Sequence, residues 1–166
     1  INIFFIKILD KTILPELIIR PHLNLNKSGL VDRLKFYNSA ITIESWDIPF
    51  RKSLTECRIY ITNHFSTTFF EALAMNKPVI VINNLDKIKP KSMYFLDLLI
   101  NNGILFASPE SAAEAVSTAY DDVELWWNNK ERQKAIKMFC DHYCLMSKDS
   151  VKLWNEEFNR LVNRSQ

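Results

Sequence analysis

The sequence is poor in glycine, with only Gly29 and Gly103 among its 166 residues. Phosphate-binding loops of the GxGxxG and GxxxxGK types need closely spaced glycines, because the backbone must turn tightly beside the phosphate. Neither pattern occurs here, so the two common glycine-rich nucleotide sites are excluded.

Long apolar runs and an excess of one charge are also absent. The longest apolar run, residues 78–82, is far shorter than the roughly 20 residues of a transmembrane helix. The first ten residues are apolar but lack the basic head and cleavage site of a signal peptide. The 21 basic and 19 acidic residues are interspersed, which leaves no basic face for nucleic acid. We therefore expect a soluble, cytoplasmic protein without a transmembrane segment or a nucleic-acid partner.

Cysteine is scarce as well, with Cys57, Cys140 and Cys144 only. An odd number without a secretory signal favours a reducing compartment. Cys140 and Cys144 are four residues apart, but two thiols make a weak metal signal. We expect packed, reduced thiols, no bound metal and no cofactor.

The composition that remains is typical of a globular protein, with 48% hydrophobic and 24% charged residues. We expect residues 1–166 to form a single domain. Because the first residue is Ile1, we also expect the chain to begin inside a longer protein.

Five short apolar runs predict five strands, at residues 17–20, 41–43, 58–61, 78–82 and 104–106. The run at 78–82 does not alternate, which indicates a strand covered on both faces. Helical spacing between the later runs predicts helices at 66–75, at 91–101 and from 108 onwards, with Ser66 and Ser108 as N-caps. The predicted fold class is α/β, a Rossmann-like three-layer sandwich with a parallel sheet of about five strands.

After Tyr120 the pattern is helical only, with predicted helices at 121–130, 131–145 and 149–163. These form a helical C-terminal extension at about 121–163. Two apolar stripes in it predict core packing rather than a cofactor site. Their residues are Ile136, Phe139, Cys140 and Tyr143 in one, and Val151, Trp154, Phe158, Leu161 and Val162 in the other.

Ligands of parallel sheets bind beyond the carboxyl ends of the strands, so residues that follow the predicted strands are the candidate site. They are Arg20, His22, Glu44, Trp46, Asn63, His64, Ser66, Thr67, Thr68, Asn83, Asn84 and Asp86. Ser66, Thr67 and Thr68 stand where a helix begins, and its unpaired N–H groups and partial positive charge suit an anion, most plausibly a phosphate. The alternative is that Ser66 is only a cap and the two threonines are solvated.

Each of the other candidates has a functional and a structural interpretation. Arg20 can hold a phosphate through paired hydrogen bonds, or form a salt bridge to Glu44 or Asp32. His22 and His64 can transfer protons or donate to phosphate, but a histidine at a strand end is more often structural. Glu71, one turn into the predicted helix, can accept from vicinal sugar hydroxyls or lie on the surface. No catalytic residue is assigned.

The segment STTFFEALAMNKPVIVIN, residues 66–83, resembles the donor-site segment of GT-B glycosyltransferases. The resemblance is sharper to a bacterial group of transferases of surface-carbohydrate biosynthesis. That group resembles this chain in RPH after a strand, in the segment above, in NGI followed by SPESAAEAV, and in the DVxxWW and HYC tail. These segments span nearly the whole chain.

The resemblance implies the C-terminal, nucleotide-sugar-binding half of a two-domain enzyme. By position, Ser66, Thr67 and Thr68 would contact the donor diphosphate. Glu71 would contact the ribose hydroxyls, and Arg20 would offset the phosphate charge. Backbone groups at 44–48 would border the base. The implied partners are a nucleotide-sugar, which is a substrate rather than a cofactor, and an N-terminal acceptor domain of the same protein.

The chain departs from the resembled family in three ways. Many retaining enzymes of this fold carry Glu eight positions before the helix glutamate, where this chain has Asn63, so the stereochemical outcome is not assigned. The family's first strand and acceptor domain are missing, so we expect the chain alone to be inactive. The glycine-rich loop near the diphosphate is also missing.

Three other functions stay open from the sequence. Polyol-phosphate transfer from a CDP-linked donor uses a similar pairing of a histidine segment and a Ser/Thr helix turn, which RPH and FSTT approximate. Epimerisation of a nucleotide-sugar uses the same fold. A noncatalytic nucleotide-binding module would keep the sheet without turnover.

Overall fold

The computed structural model describes residues 3–22, 29–88, 90–144 and 149–164, and these form an α/β protein. The strands are β1 (Ile18–Ile19), β2 (Thr42–Ile43), β3 (Tyr60–Thr62), β4 (Val79–Ile82) and β5 (Leu105–Phe106). The helices are α1 (Ile3–Ile8), α2 (Leu30–Tyr37), α3 (Phe50–Glu56), α4 (Thr67–Ala74), α5 (Met93–Asn101), α6 (Pro109–Tyr120), α7 (Val123–Trp127), α8 (Lys130–Tyr143) and α9 (Ser150–Arg164). All five predicted strands are present, each shorter than or shifted from its predicted range.

The strands pair in parallel, but as two sheets rather than the single sheet predicted from the sequence. β1 pairs with β2, with Ile19 opposite Ile43. The other sheet has the order β3-β4-β5, with Ile61 opposite Ile80 and Ile82 opposite Phe106. Because β1, β2 and β5 are two residues long, each contributes only a short hydrogen-bond ladder. The α/β class with parallel strands is confirmed.

β4 is covered on both faces, as its unbroken apolar sequence predicts. All four of its residues are buried. Ile80 and Ile82 belong to one hydrophobic cluster, and Val79 and Val81 belong to another. Alternate residues of a strand point to opposite faces, so β4 separates the two clusters and packs into both.

The two clusters draw on different helices. The first contains buried residues of α1, α2 and α6, including Phe5, Leu34 and Val116. The second contains residues of α3, α4, α5 and α8, including Phe69 and Phe139. The partly buried Trp126 of α7 packs against both clusters.

The helices from α4 onwards match the predicted segments, whereas α1, α2 and α3 were not predicted. The Ser108 hydroxyl accepts a hydrogen bond from the Ser111 N–H at 3.1 Å, so its prediction as an N-cap is confirmed. In the predicted helix 131–145, residue 145 lies outside the described residues. No described helix is both long enough and apolar enough to cross a membrane.

The two C-terminal stripes have different outcomes. Ile136 and Phe139 of α8 are buried, so core packing is confirmed there. The prediction is wrong for α9, which has no buried residue and exposes 61% of Trp154. An amphipathic pattern shows which face is apolar, but it does not show whether another element of the chain covers that face.

Candidate functional site

Arg20 and Glu44 meet at the carboxyl ends of β1 and β2. Each residue directly follows its strand, and Ile19 and Ile43 are paired in the preceding register position. Arg20 Nη1 lies 2.7 Å from Glu44 Oε2, with side chains only 18% and 9% exposed. Of the two interpretations left open by the sequence, the ion pair to Glu44 is therefore present. Asp32, the other acceptor considered, is not the one that binds Arg20.

The ion pair leaves part of the Arg20 guanidinium available. Nη1 also donates to the Ile48 carbonyl at 2.8 Å and lies 3.4 Å from Ser53 Oγ. No acceptor for Nε or Nη2 is found among the described residues. A guanidinium offers five N–H donors in a planar fork, so these remaining donors suit a carboxylate or phosphate oxygen. An ion pair with Glu44 and a contact with an anion are thus compatible.

Trp46 and His22 extend this cluster on the surface. The Trp46 indole N–H donates to the Pro21 carbonyl at 2.9 Å. The Arg20 guanidinium carbon lies 4.7 Å from the centroid of the Trp46 ring. The His22 ring meets the same indole edge-on, with centroids 6.3 Å apart. We name Arg20, His22, Glu44 and Trp46 the arginine–tryptophan cluster.

A second group of candidates lies at the start of α4. Thr67 is the first helical residue, and the N–H groups of Thr67 and Thr68 have no acceptor among the described residues. The expectation that the Ser66 hydroxyl caps the helix is wrong. It instead pairs with Thr68 Oγ1 at 2.7 Å, which in turn pairs with the Tyr60 hydroxyl at 3.0 Å. These first-turn N–H groups are therefore left for another acceptor.

Asn63 and His64 follow β3, on the loop that leads to α4. His64 Nδ1 and Asn63 Oδ1 are 2.9 Å apart, and both residues are exposed. The amide of Asn83, which follows β4, lies 3.5 Å from the Asn63 carbonyl oxygen. The carboxyl ends of these neighbouring strands thus bring three of the predicted polar residues together.

Glu71 is held by a residue that the sequence did not single out. Its Oε1 accepts from Arg51 Nε at 2.8 Å, and the side chain is 30% exposed. Arg51 contacts one carboxylate oxygen, and no described residue donates a hydrogen bond to the other, Glu71 Oε2. A carboxylate in this state can still accept from a sugar hydroxyl. We name Ser66, Thr67, Thr68 and Glu71 the α4 cluster.

Helix α3 contacts both clusters. Its Ser53 lies beside Arg20, and its Arg51 pairs with Glu71. Its Phe50 ring packs edge-on against Tyr60, with centroids 5.6 Å apart, and Tyr60 reaches Thr68. A single seven-residue helix therefore positions one side chain of each cluster. Sequence reasoning missed this helix and with it Arg51 and Ser53. Arg51 and Glu71 are 20 residues apart in the sequence, so their contact depends on tertiary packing.

Two cavities lie away from these clusters. One of about 350 Å³ is bordered by Asn76, Gln133, Cys140 and Cys144. The other, of about 530 Å³, lies between α1 and α2 beside Lys7 and Phe36. Neither is lined by a predicted site residue. The clusters thus lie outside both of these cavities.

The three cysteines are free thiols in different surroundings. A hydrogen bond with Cys144 lowers the pKa of the Cys140 thiol, whereas burial raises the pKa of Cys57. Within residues 3–22, 29–88, 90–144 and 149–164, no three His, Cys, Asp or Glu side chains are grouped so as to hold a metal ion.

A comparison with protein families gives a match over nearly the whole chain. The model described as "LIC12162 family transferase" matches residues 2–158, a range that contains both clusters. The chain belongs to the LIC12162 family of transferases. The prediction of a transferase is thereby confirmed. Searches of the curated proteins and of the solved structures found no significant match to this LIC12162 family member.

Proposed function

We propose that this chain is the nucleotide-sugar-binding half of a GT-B glycosyltransferase that acts in bacterial surface polysaccharide biosynthesis. Membership of a transferase family supports transfer chemistry. The parallel α/β architecture, with polar residues at the strand ends, is in keeping with a Rossmann-like three-layer donor domain. Acceptor binding would fall to an N-terminal domain of the same protein.

The observation that carries the proposal is the start of α4. The Thr67 and Thr68 N–H groups have no acceptor among the described residues, and they follow β3 at its carboxyl end. A helix N-terminus carries a partial positive charge of about half an elementary charge, which favours an anion. In the proposed complex these groups and the Ser66 hydroxyl hold the donor diphosphate.

Arg20 and Glu71 complete the proposed donor site. Arg20 donates to the phosphates from Nε and Nη2 while Glu44 holds Nη1 in place. Glu71 accepts from the ribose hydroxyls through the oxygen that Arg51 does not contact. As the bond to the sugar breaks, negative charge grows on the departing diphosphate. Fixed donors that face this charge stabilise the transition state more than the ground state.

The test is thermal stabilisation by nucleotides. UDP, CDP, GDP, ADP and their sugar conjugates are added at millimolar concentration and the melting temperature is measured. A ligand at 100 times its Kd adds about 2.7 kcal/mol, which is roughly 5 to 10 °C for a domain of this size. If no nucleoside diphosphate raises the melting temperature, the proposal fails. Stabilisation by CDP-linked ligands alone would favour polyol-phosphate transfer.

Two variants at Thr67 separate the backbone donor from the hydroxyl. Thr67 is the first helical residue, where proline fits, and Ser66 already has the extended backbone that a residue before proline prefers (φ −119°, ψ 173°). Thr67→Pro removes the N–H and the hydroxyl, whereas Thr67→Ala removes the hydroxyl only. We expect the nucleotide shift to be lost mainly in Thr67→Pro. Equal nucleotide-induced shifts in melting temperature in the two variants would mean that the Thr67 N–H does not bind the nucleotide.

A further inference from the structure

Two thiols at the end of α8 border the cavity of about 350 Å³ described above. Cys140 lies in the last turn of α8 and Cys144 is the C-cap, so the two side chains are neighbours on one face of the helix. Both are half-buried free thiols. The cavity is closed on its other side by Leu73 and Ala74, at the end of α4. A small molecule that enters it therefore meets a pair of thiols.

The two thiols of this pair differ in how readily they ionise. A hydrogen bond with Cys144 lowers the pKa of the Cys140 thiol, against the smaller opposing effects of burial and of the Asp141 carboxylate. The same hydrogen bond, together with burial, raises the pKa of Cys144. Cys144 thus keeps its proton and donates a hydrogen bond to the Cys140 sulfur. Since the thiolate is the form of cysteine that attacks a disulfide, Cys140 is the nucleophile and Cys144 is a positioning residue.

Cys57 is a reference thiol within the same chain. It is also half-buried, but it borders neither of the two cavities described above. Its Sγ donates to the Leu54 carbonyl at 3.4 Å, and burial raises the pKa of its thiol. Cys57 therefore lacks both the neighbouring thiol and the adjoining space that Cys140 has.

The spacing of Cys140 and Cys144 disfavours a disulfide between them. Residues four apart on a helix have Cβ atoms about 5–6 Å apart, whereas a disulfide needs about 3.5–4.5 Å. The Cys144 N–H donates to the Cys140 carbonyl at 2.8 Å, so the last turn keeps its helical spacing. A bridge would have to distort this turn. The product that α8 accommodates is a mixed disulfide with a molecule in the cavity.

We propose that Cys140 is a site of reversible modification by low-molecular-weight disulfides. The Cys140 thiolate attacks one sulfur of the small molecule, so that a new S–S bond forms and the S–S bond of the small molecule breaks. The Cys140 sulfur is oxidised, and the other half of the small molecule is reduced and leaves as a thiolate. This thiolate takes up the proton that Cys140 released to solvent. Excess thiol reverses the modification by the same exchange, and no step depends on the proposed function.

The cavity has the size and the polar groups for such a molecule. Its volume of about 350 Å³ is at the lower end of small-molecule pockets, which span roughly 300–1,000 Å³. Lys137 and Asp141 line it beside the thiols, and their charged groups lie 2.6 Å apart. An ammonium and a carboxylate at one cavity suit a disulfide that carries both charges. Glutathione disulfide has this chemistry and is the probe.

The experiment follows the mass of the folded chain during incubation with glutathione disulfide, and peptide mapping locates the adduct. We expect one adduct, on Cys140, that forms at least about fivefold faster than any on Cys57 and is removed by dithiothreitol. Cys140→Ser abolishes it. Cys144→Ala removes the S–H donor and slows the reaction about threefold, whereas Cys144→Ser keeps a hydroxyl donor and retains most of the rate.

The urea-unfolded chain is the control, because all three thiols are then accessible and should react at similar rates. Circular dichroism checks that each variant keeps the helix content of the wild type. The site is overturned if the folded chain modifies Cys57 as fast as Cys140, if it gives the mass of an internal disulfide without an adduct, or if only the unfolded chain reacts. An unchanged rate in Cys144→Ala would overturn the role of Cys144 as hydrogen-bond donor.

Discussion

Arg20 has a structural role that is compatible with the binding role proposed for it. Its Nη1 atom is bound to Glu44, Ile48 and Ser53, which fixes the guanidinium at the edge of the β1–β2 sheet. The remaining N–H groups point away from these partners, because the five donors of a guanidinium lie in a fixed planar fork. The salt bridge thus orients the residue without using all of its donors.

The pair between Arg20 and Glu44 should matter more for stability than a surface pair. Glu44→Gln leaves the largely buried Arg20 charge without its counter-charge, so we expect the free energy of unfolding to fall by about 1.5 to 3 kcal/mol. The control is Asp141→Asn, which breaks the exposed pair with Lys137 and should change it by less than about 0.5 kcal/mol. Urea denaturation measures both. Equal losses in the free energy of unfolding would contradict the larger contribution expected of the buried pair between Arg20 and Glu44.

At the scale of the element, two serines before helices have different roles. Ser108 caps α6 through its hydroxyl, whereas the Ser66 hydroxyl pairs with Thr68, and the Thr67 and Thr68 N–H groups have no acceptor in the part of the chain that the structure describes. Both are good N-cap residues by type, and the sequence predicts the same role for both. The position of Tyr60 in the tertiary structure distinguishes the two serines. The Tyr60 hydroxyl pairs with Thr68 Oγ1, and the same oxygen pairs with the Ser66 hydroxyl.

The cap of α6 gives a direct stability test. Ser108→Ala removes the acceptor of the Ser111 N–H, and we expect a loss of about 1 kcal/mol in the free energy of unfolding. Ser92→Ala is the control, because Ser92 precedes α5 without a side-chain cap hydrogen bond. It should cost less than about 0.5 kcal/mol. Thermal denaturation followed by circular dichroism compares the stability of the two variants. A larger loss of stability in Ser92→Ala would contradict the role of Ser108 as a stabilising cap.

At the scale of the whole molecule, β4 joins two hydrophobic clusters. Ile80 lies in the first cluster and Val79 and Val81 lie in the second, so this strand packs into both clusters. The partly buried Trp126 is a second connection between them. Elements that share a buried strand are expected to unfold together.

Truncation of Ile80 tests this coupling. Ile80→Ala removes a fully buried side chain, and we expect a loss of about 2 to 5 kcal/mol. Circular dichroism and tryptophan fluorescence should report the same lowered midpoint. Ile18→Ala, at a side chain that is 58% exposed, is the control and should cost less than about 0.5 kcal/mol. Two separate transitions in Ile80→Ala would mean that the clusters unfold independently.

Part of the candidate site was predictable because it depends on order along the chain. Residues after parallel strands gather at the carboxyl ends, and this rule selects Arg20 with Glu44 and Asn63 with Asn83. Arg51 beside Glu71 and Tyr60 beside Thr68 depend on how helix α3 and strand β3 pack against α4. A short helix without an N-cap side-chain bond, such as α3, leaves little periodic signal to predict it from.

The sequence alone determined the alternation of strands and helices, the double-sided burial of β4 and the position of a helix start at Ser66, because each depends on local patterns of apolar and capping residues. Tertiary structure alone decided that the strands pair as two sheets, that α9 exposes its apolar stripe and that Arg20 Nε and Nη2 have no acceptor among the described residues. These features depend on which surfaces meet across long stretches of chain, and a local pattern specifies a surface without specifying its partner.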